Sequence, residues 1–567
     1  MRSPIFLITG ESMRSLALSL LFTLALCVGA VSQQPSSSTP PPDTSKAKKN
    51  KNEPAAAVKT PEPATQSQPA PSQAPAPQTK AEPGKEGDKD KEEHYDMTEV
   101  PPVVTHHQIT VDGKLLKYTA TAGRLPIKRG DGRIDAEMFF VAYTLDGQEA
   151  AKRPLTFAFN GGPGSATAWL HMGSIGPKQV VLQANGFMPT APYRMVDNPN
   201  CVLDKTDLVF VDAINTGFSR AANAEMTKKY LGVKGDIEAF GEFIRLYITR
   251  YDRWSSPLFQ LGESYGTTRA AGIAGYLADH GISFNGITML STAIDFGTLE
   301  WTKNNDLPYV LLVPSFSMIA AYHKRLAPDL LQDVTKTRQE VERWATTDYM
   351  LALAKGDALP APERQKIIDE YARYTGLDKK LIDNANLRID VMHFTKNLLL
   401  DQKLVVGRLD GRFTGPHPAG VLDGAFYDPT GSAILPPYTA VFNNYVRTQL
   451  GYKVDTPYKI FAYEEPGFEK WEWGSADKGF PNTGPGLRDA LTKNPYLKVL
   501  VMEGYYDLAT PYAAANYTFD HLDLPADYRK NISYATYESG HMVYVDGTSG
   551  VKMKKDLVEF MERSLAH

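Results

Sequence analysis

The sequence has almost no cysteine, no strong excess of charge of either sign and no long apolar run beyond its first 30 residues. Its 567 residues include two cysteines, Cys27 and Cys201, which cannot build a disulfide framework. A formal net charge of -4 gives no reason to expect a nucleic-acid partner. Because no later run has the roughly 18 apolar residues of a membrane span, we expect no integral membrane segment after the amino-terminal one.

The amino-terminal part of the chain lacks the composition of a folded domain. Residues 1–30 combine Arg2 and Arg14 with an apolar core and a small-residue site at residues 28–30, which predicts a secretory signal peptide. Residues 31–97 are rich in Pro, Ala, Ser, Gln, Lys and Glu, which predicts a disordered linker. We therefore expect an exported protein, periplasmic or extracellular. Cys201 would be its one remaining thiol, with a buried packing role favoured over reactivity.

Residues 98–567 have the pattern of a globular domain in which apolar strands alternate with helices. Residues 107–118 form two strand-like runs around Asp112-Gly113, a strong hairpin signal. Buried strands are predicted at 207–212 and 257–261, and further strands at 285–290, 497–502 and 532–537. Asp236 is expected to cap the helix that precedes the strand at 257–261. This alternation predicts an α/β fold, with a mostly parallel central sheet and helices on both faces.

The pattern changes between about residue 300 and residue 450, where several helical segments follow one another and no strand alternates with them. We interpret this stretch as a helical insertion that caps the active face. An independent helical domain is the alternative. The return of strand signals after it favours the insertion.

Polar residues follow several of the predicted strands. The sequence Gly262-Glu263-Ser264-Tyr265-Gly266 lies between a strand and a helix, the context that a nucleophile elbow requires. Asp507 and His541 follow the last two strands, so the order Ser, Asp, His is that of α/β-hydrolases. Because ligands bind at the carboxyl ends of strands in open α/β sheets, we expect Ser264, Asp507 and His541 to meet there.

A glycine-rich turn, Asn160-Gly161-Gly162-Pro163-Gly164, follows an earlier strand. Its bare amides suit either a phosphate or an oxyanion. No Gly-Lys-Ser/Thr follows, which argues against a nucleotide P-loop and favours an oxyanion hole. His106 and His107 have no further ligand at metal-site spacing, so we predict no metal site.

Together these motifs resemble the serine carboxypeptidases of peptidase family S10, in their bacterial branch, over roughly residues 100 to 560. The resemblance implies an α/β-hydrolase with a helical insertion, no cofactor, and release of the C-terminal residues of peptides. It also implies roles for single residues: Ser264 as nucleophile, His541 as general base, Asp507 as the residue orienting it, Gly162 and Tyr265 as oxyanion donors, and Asn160, Gly161 and Glu263 as ligands of the substrate carboxylate.

One departure from the family pattern keeps alternatives open. Ser174 stands where the family usually has a second acidic residue, which weakens the expectation of strict exopeptidase activity and of an acid optimum. A carboxypeptidase-like acyltransferase or esterase would use the same triad. A non-catalytic envelope-binding protein, with its linker as the working part, is a third hypothesis. Trp471 and Trp473 are expected to pack in the core rather than to line the pocket, and nothing predicts an oligomeric state.

Overall fold

The computed structural model describes residues 95–417, 427–462, 468–474 and 479–566. The predicted signal peptide, and all but the last residues of the predicted linker, lie outside the described residues. The strands are β1 Val103–Val111, β2 Lys114–Lys128, β3 Ile134–Leu145, β4 Leu155–Phe159, β5 Lys178–Val180, β6 Met195–Asp197, β7 Asp207–Val211, β8 Arg220–Ala221, β9 Leu258–Glu263, β10 Gly286–Leu290, β11 Leu404–Val406, β12 Thr414–Pro416, β13 Lys498–Gly504 and β14 Ile532–Tyr537.

Most of the strands form one 10-stranded sheet in the order β1-β2-β3-β7-β4-β9-β10-β13-β14, with β8 paired to β3. The first strands pair antiparallel, and the predicted hairpin is confirmed, with Asp112 and Gly113 both at positive φ between β1 and β2. From β7 to β14 all neighbours are parallel. The chain moves from β4 to β7 on one side and then to β9 on the other, so the strand order reverses at β4. The crevice at such a reversal is where open α/β sheets bind ligands.

The helices are α1 Ala168–Gly173, α2 Ala224–Tyr230, α3 Val233–Arg250, α4 Tyr265–Asp279, α5 Leu307–Tyr322, α6 Pro328–Leu331, α7 Val334–Trp344, α8 Met350–Lys355, α9 Ala361–Thr375, α10 Lys379–Asn384, α11 Val391–Asn397, α12 Pro429–Thr448, α13 Gly484–Lys493, α14 Tyr512–Asp520, α15 Ala526–Arg529 and α16 Gly547–Leu565. A π-helical turn, Ala345–Tyr349, joins α7 to α8. Among the described residues, no helix has both the length and the apolar character needed to cross a bilayer.

Helices cover both faces of the sheet, as the alternating pattern predicts. On one face, Phe243 of α3 and Ile273 of α4 belong to the same buried cluster as Phe157 and Ile287 of the strands. On the other face, α12 and α16 supply buried residues such as Phe442 and Phe560, together with Leu261 and Leu500 of the strands. The central strands are therefore buried on both sides, which explains their continuous apolar sequences.

The stretch between β10 and β13 has its own apolar core, built from residues of α5 to α11. The prediction that this stretch contains no strand is wrong, because β11 and β12 form an antiparallel pair apart from the central sheet. Each of these strands has only three residues, too few for the alternation that identifies a strand from sequence. Helix α12, which follows β12, packs on the core of the central sheet instead.

Candidate active site

Ser264 lies in a strained turn between β9 and α4. Its backbone has φ 61 and ψ -131, a region that non-glycine residues rarely occupy. The turn has no room for side chains on either side. A Cβ on Gly262 would lie 2.2 Å from the carbonyl oxygen of Gly266, and one on Gly266 would lie 2.7 Å from that of Phe159. This is the geometry of a nucleophile elbow, which holds the serine hydroxyl clear of the sheet.

Asp507 and His541 lie in contact at the carboxyl ends of β13 and β14. Nδ1 of His541 is 2.7 Å from Oδ2 of Asp507, and both side chains are buried. The amides of Ala509 and Thr510 donate to Oδ1 of Asp507, and the Thr510 hydroxyl donates to Oδ2. Because the carboxylate can only accept from the ring, the proton belongs on Nδ1, which leaves Nε2 of His541 free to accept one.

The charge of Asp507 sets the basicity of His541. Burial lowers the pKa of His541, but the charge and the hydrogen bond of Asp507 outweigh burial, so the pKa lies above its ordinary value. The carbonyl of His541 accepts a 2.6 Å hydrogen bond from the hydroxyl of Ser291, a residue at positive φ. The ring is therefore fixed from two sides, by Asp507 at Nδ1 and by Ser291 at its backbone.

The loop between β11 and β12 supports both members of this pair. The amides of Leu508 and His541 donate to the carbonyls of Arg408, at 3.0 Å, and Leu409, at 2.7 Å. Oδ2 of Asp410 accepts from the amide that precedes His541, also at 3.0 Å. The segment between β10 and β13 thus holds the Asp507 and His541 loops in place through two main-chain carbonyls and the side chain of Asp410.

Ser264 and His541 line the same cavity, of about 500 Å³. The Ser264 hydroxyl forms no hydrogen bond with His541 or with any other described residue. The structure therefore joins two of the three predicted residues directly and brings the third to the same cavity. Catalytic hydrogen bonds are often loose without substrate and tighten in the substrate complex.

The glycine-rich turn after β4 lies against the elbow. A Cβ on Gly161 would lie 2.4 Å from the amide nitrogens of both Tyr265 and Gly266, so the two segments approach as closely as backbone allows. Gly162 has φ 106, which favours glycine. Within the described part of the chain, the amides of Gly162 and Tyr265 donate to no acceptor, and both residues line the cavity. They are two free donors beside Ser264, as an oxyanion hole requires.

Glu263 and Asn160 form a hydrogen-bonded pair on the floor of the cavity. Nδ2 of Asn160 donates to Oε1 of Glu263 at 2.9 Å, while Oδ1 of Asn160 accepts from the amide of Leu170. Burial raises the pKa of Glu263 to about 7. Oε2 of Glu263 has no partner among the described residues. A protonated Glu263 can therefore donate from Oε2 to a carboxylate in the cavity.

Ser174 does not replace a second acidic residue beside Glu263. Its hydroxyl donates to the carbonyl of Leu170 at 2.6 Å, at the carboxyl end of α1. Trp471 and Trp473 pack edge-on against Tyr265, and Trp473 also contacts Phe296. Neither tryptophan is among the residues that line the cavity. No group of His, Cys, Asp and Glu side chains in the described ranges is arranged to hold a metal ion.

One buried support of the site is not among the residues predicted from the sequence. Arg269 of α4 is fully buried, pairs through two nitrogens with Asp236, and donates to the carbonyl of Asn160 at 2.5 Å. The prediction that Asp236 caps a helix is wrong: the cap position of α3 is Gly232, and Asp236 lies inside the helix. An arginine among the small residues of the helix after Ser264 was the available signal, because a buried arginine needs a carboxylate.

The fold and the arrangement of the site are together those of one class of protein. A mostly parallel sheet, a serine elbow after a central strand, and an Asp–His pair after the last two strands define an α/β-hydrolase. The chain belongs to the serine carboxypeptidase family, peptidase S10, whose family model matches residues 117–554. This membership confirms the family resemblance and makes the protein a hydrolase of that family.

Solved structures similar to this chain include a carboxypeptidase, a peptidase and an esterase. Kex1(Δ)p, a prohormone-processing carboxypeptidase from Saccharomyces cerevisiae, has a TM-score of 0.50 and 16% identity, covering 78% of this chain and 91% of that one. A proline iminopeptidase from Mycobacterium smegmatis has a TM-score of 0.32 and 11% identity, covering 78% and 98%. A carboxyl esterase from Bacillus coagulans has a TM-score of 0.32 and 12% identity, covering 78% and 98%. A comparison with curated protein sequences found no match. At 16% identity, the likeness to Kex1(Δ)p concerns the fold alone.

Proposed function

We propose that this protein is a serine carboxypeptidase that removes C-terminal residues from peptides through an acyl-enzyme. The observation that carries the proposal is the meeting of three features in one cavity: Ser264 at a strained elbow, the Asp507–His541 pair, and the unpaired amides of Gly162 and Tyr265. Serine is a weak nucleophile until a positioned imidazole takes its proton.

In this mechanism Nε2 of His541 takes the proton of Ser264 as the hydroxyl oxygen attacks the carbonyl of the last peptide bond. Asp507 keeps the imidazole in the required tautomer and stabilises the imidazolium that forms. The amides of Gly162 and Tyr265 donate to the oxyanion. His541 then protonates the leaving amine, and water, activated by the same ring, hydrolyses the ester on Ser264. Each oxyanion donor is worth about 2.7–4 kcal/mol of barrier in enzymes of this kind.

Recognition of the free C-terminus falls to Asn160, Gly161 and Glu263. The amide of Gly161 donates to no described acceptor and lies at the cavity wall beside the Asn160–Glu263 pair. Two carboxylates do not share a site in their ionised forms, so the substrate carboxylate favours the protonated form of Glu263. The raised pKa of Glu263 supports this role, since the carboxyl group is already poised to donate near neutral pH.

A carboxypeptidase-like esterase or acyltransferase is the second candidate. The observation that favours it is Ser174, whose hydroxyl bonds the carbonyl of Leu170. Position 174 therefore supplies no second carboxyl group to share a proton with Glu263, and we expect weaker recognition of a free C-terminus. Both candidates use the same nucleophile and oxyanion donors. They differ in whether a free carboxylate on the substrate accelerates turnover.

The deciding experiment compares matched peptides with a free and with an amidated C-terminus, alongside a simple ester. We expect the purified protein to release free amino acids from the unblocked peptide only, and Ser264→Ala to abolish the release. A fluorophosphonate should label the parent protein at Ser264 and leave Ser264→Ala unlabelled. Turnover of the ester with no release from any peptide would favour the second candidate. Residue release that persists in Ser264→Ala would remove the proposed mechanism.

We also propose export, on the composition of residues 1–30, with a linker at 31–97, a peptidase domain at 98–567 and a capping insertion at about 300–450. Recovery of the protein from the periplasm or medium with a new amino terminus near residue 30 is the expected result. Recovery of the protein from the cytoplasm with its predicted signal peptide still attached would contradict it.

A further inference from the structure

Arg408 is a half-buried charged side chain in the active-site cavity, and the proposed mechanism gives it no role. It lines the cavity with Ser264 and His541. Among the described residues, its guanidinium group forms no hydrogen bond and no ion pair. Arginine is almost always charged, and an unpaired charge in a largely apolar cavity is costly. Such a group is suited to an anionic ligand.

The backbone of Arg408 is held firmly beside the catalytic pair. Its carbonyl accepts from the amide of Leu508, the residue after Asp507, and the carbonyl of the next residue, Leu409, accepts from the amide of His541. The charge of Arg408 accordingly lowers the pKa of His541, as a minor contribution. The guanidinium group is therefore carried by a fixed backbone near the bond to be cleaved.

Two carboxyl groups lie near Arg408, and neither forms an ion pair with it. Asp428 caps α12 and accepts from the amides of Leu409 and Thr430, which engage both of its oxygens. The side chain of Glu300 lines the cavity and has no hydrogen bond in the described part of the chain. Burial raises the pKa of Glu300 to about 7, and burial also raises the pKa of Asp428. The positive charge of Arg408 is thus only partly balanced.

Arg408 is separate from the group that holds the substrate's terminal carboxylate in the proposed function. The charges that act most on Glu263 are those of His541 and Asp507. The charge that acts on Glu300 is that of Arg408. Arg408 and the Asn160–Glu263 pair both line the cavity, and each is suited to a carboxylate.

We propose that Arg408 is a specificity-determining residue that binds the carboxylate of an acidic side chain in the peptide substrate. The indole N–H of Trp301 is a second donor for it, because Nε1 is buried without a partner among the described residues and Trp301 lines the same cavity. This inference rests on the proposed peptidase function. It predicts a preference for Asp or Glu at one of the two residues that flank the cleaved bond.

The test measures kcat/KM for peptide pairs that differ only by Asp against Asn, or Glu against Gln, at the last or the penultimate residue. We expect Arg408→Ala to lower the Asp-to-Asn ratio by about 10- to 100-fold at one of these positions, the effect of losing a charged hydrogen bond. Arg408→Glu should reverse the charge preference, so that a peptide with Lys at this position has a higher kcat/KM than the same peptide with Gln. Trp301→Phe should lower the ratio less, and Glu300→Gln, which removes a competing carboxyl group, should raise it.

Active-site titration with a fluorophosphonate counts the molecules with a reactive Ser264, and every rate is divided by that count. If Arg408→Ala does not fold, Arg408→Gln is used in its place. Equal losses on Asp and Asn peptides would overturn the inference, since Arg408 would then act on the terminal carboxylate or on the triad. A ratio unchanged by Arg408→Ala or Arg408→Gln would overturn it too. Turnover of any of these peptides by the parent protein reports separately on the proposed function: its absence on acidic and neutral peptides alike would refute that function instead.

Discussion

Replacing Glu263 by glutamine should remove the penalty that alkaline pH imposes on the recognition of a free C-terminus. In the native protein burial raises the pKa of Glu263 to about 7 from an ordinary value of 4.5. The carboxyl group is then about 90% protonated at pH 6 and about 10% at pH 8. If only the protonated form donates to the substrate, kcat/KM for free peptides falls about tenfold over this interval through Glu263 alone.

Glutamine keeps the geometry and removes the titration. Its Oε1 can accept from Nδ2 of Asn160 as Glu263 does, and its amide nitrogen donates at every pH. The assay follows release of the C-terminal residue from pH 5 to 9, with an ester substrate as the reference for the titration of His541. We expect the native profile to fall below the ester profile above pH 7, and the Glu263→Gln profile to follow the ester. An alkaline fall that is the same in both proteins would refute the assignment.

The same substitution has a signature in stability. Because the pKa of Glu263 is higher in the folded state, folding retains a proton that the unfolded chain releases above about pH 4.5. The contribution of Glu263 therefore becomes less favourable as pH rises from about 4.5 to about 7, by about 3 kcal/mol in total. We expect Glu263→Gln to be more resistant to urea than the native protein at pH 8 and to lose this advantage at pH 4.5. Equal differences at both pH values would contradict the buried, raised pKa.

Two further predictions concern the supports of the site. Asp507→Asn should lower kcat by about 10³- to 10⁴-fold in steady-state assays, because an amide at this position favours the wrong tautomer of His541; a loss below tenfold would contradict the orienting role. Arg269→Met should cost about 3–5 kcal/mol in urea unfolding, because it leaves Asp236 buried and uncompensated, and adding Asp236→Leu should recover much of that loss. A cost below about 1 kcal/mol for Arg269→Met alone, or no recovery in the double variant, would contradict the buried ion pair.

Features encoded by a few neighbouring residues were predictable from the sequence. The Asp112-Gly113 turn, the glycines around Ser264 and the strands before Asp507 and His541 all follow from local conformational preference or apolar runs. The parallel sheet follows from their alternation with helices. Each of these signals is contained within about ten residues, which is why the fold and the placement of the candidate residues were accessible.

Features that depend on partners distant in sequence were not predictable. A single aspartate before an apolar helix has the pattern of a cap, so the sequence predicts a helix end at Asp236. In the structure Asp236 instead pairs with Arg269, 33 residues away. The strands β11 and β12 carry too few residues for a periodic signal. The hydrogen bond between the amide of His541 and the carbonyl of Leu409 joins residues more than 100 positions apart. Because it involves only main-chain atoms, no pattern of side chains predicts it.

The link between Leu409 and His541 has a consequence for how this enzyme can be altered. The segment that separates β10 from β13 lines part of the cavity. It also carries the carbonyls that accept hydrogen bonds from the Asp507 and His541 loops. Grafting that segment from a relative, or trimming it to open the site, would disturb the position of His541 together with the shape of the cavity. New substrate selectivity is therefore more accessible through exchanges of single side chains on a retained 408–411 backbone than through exchange of the whole module.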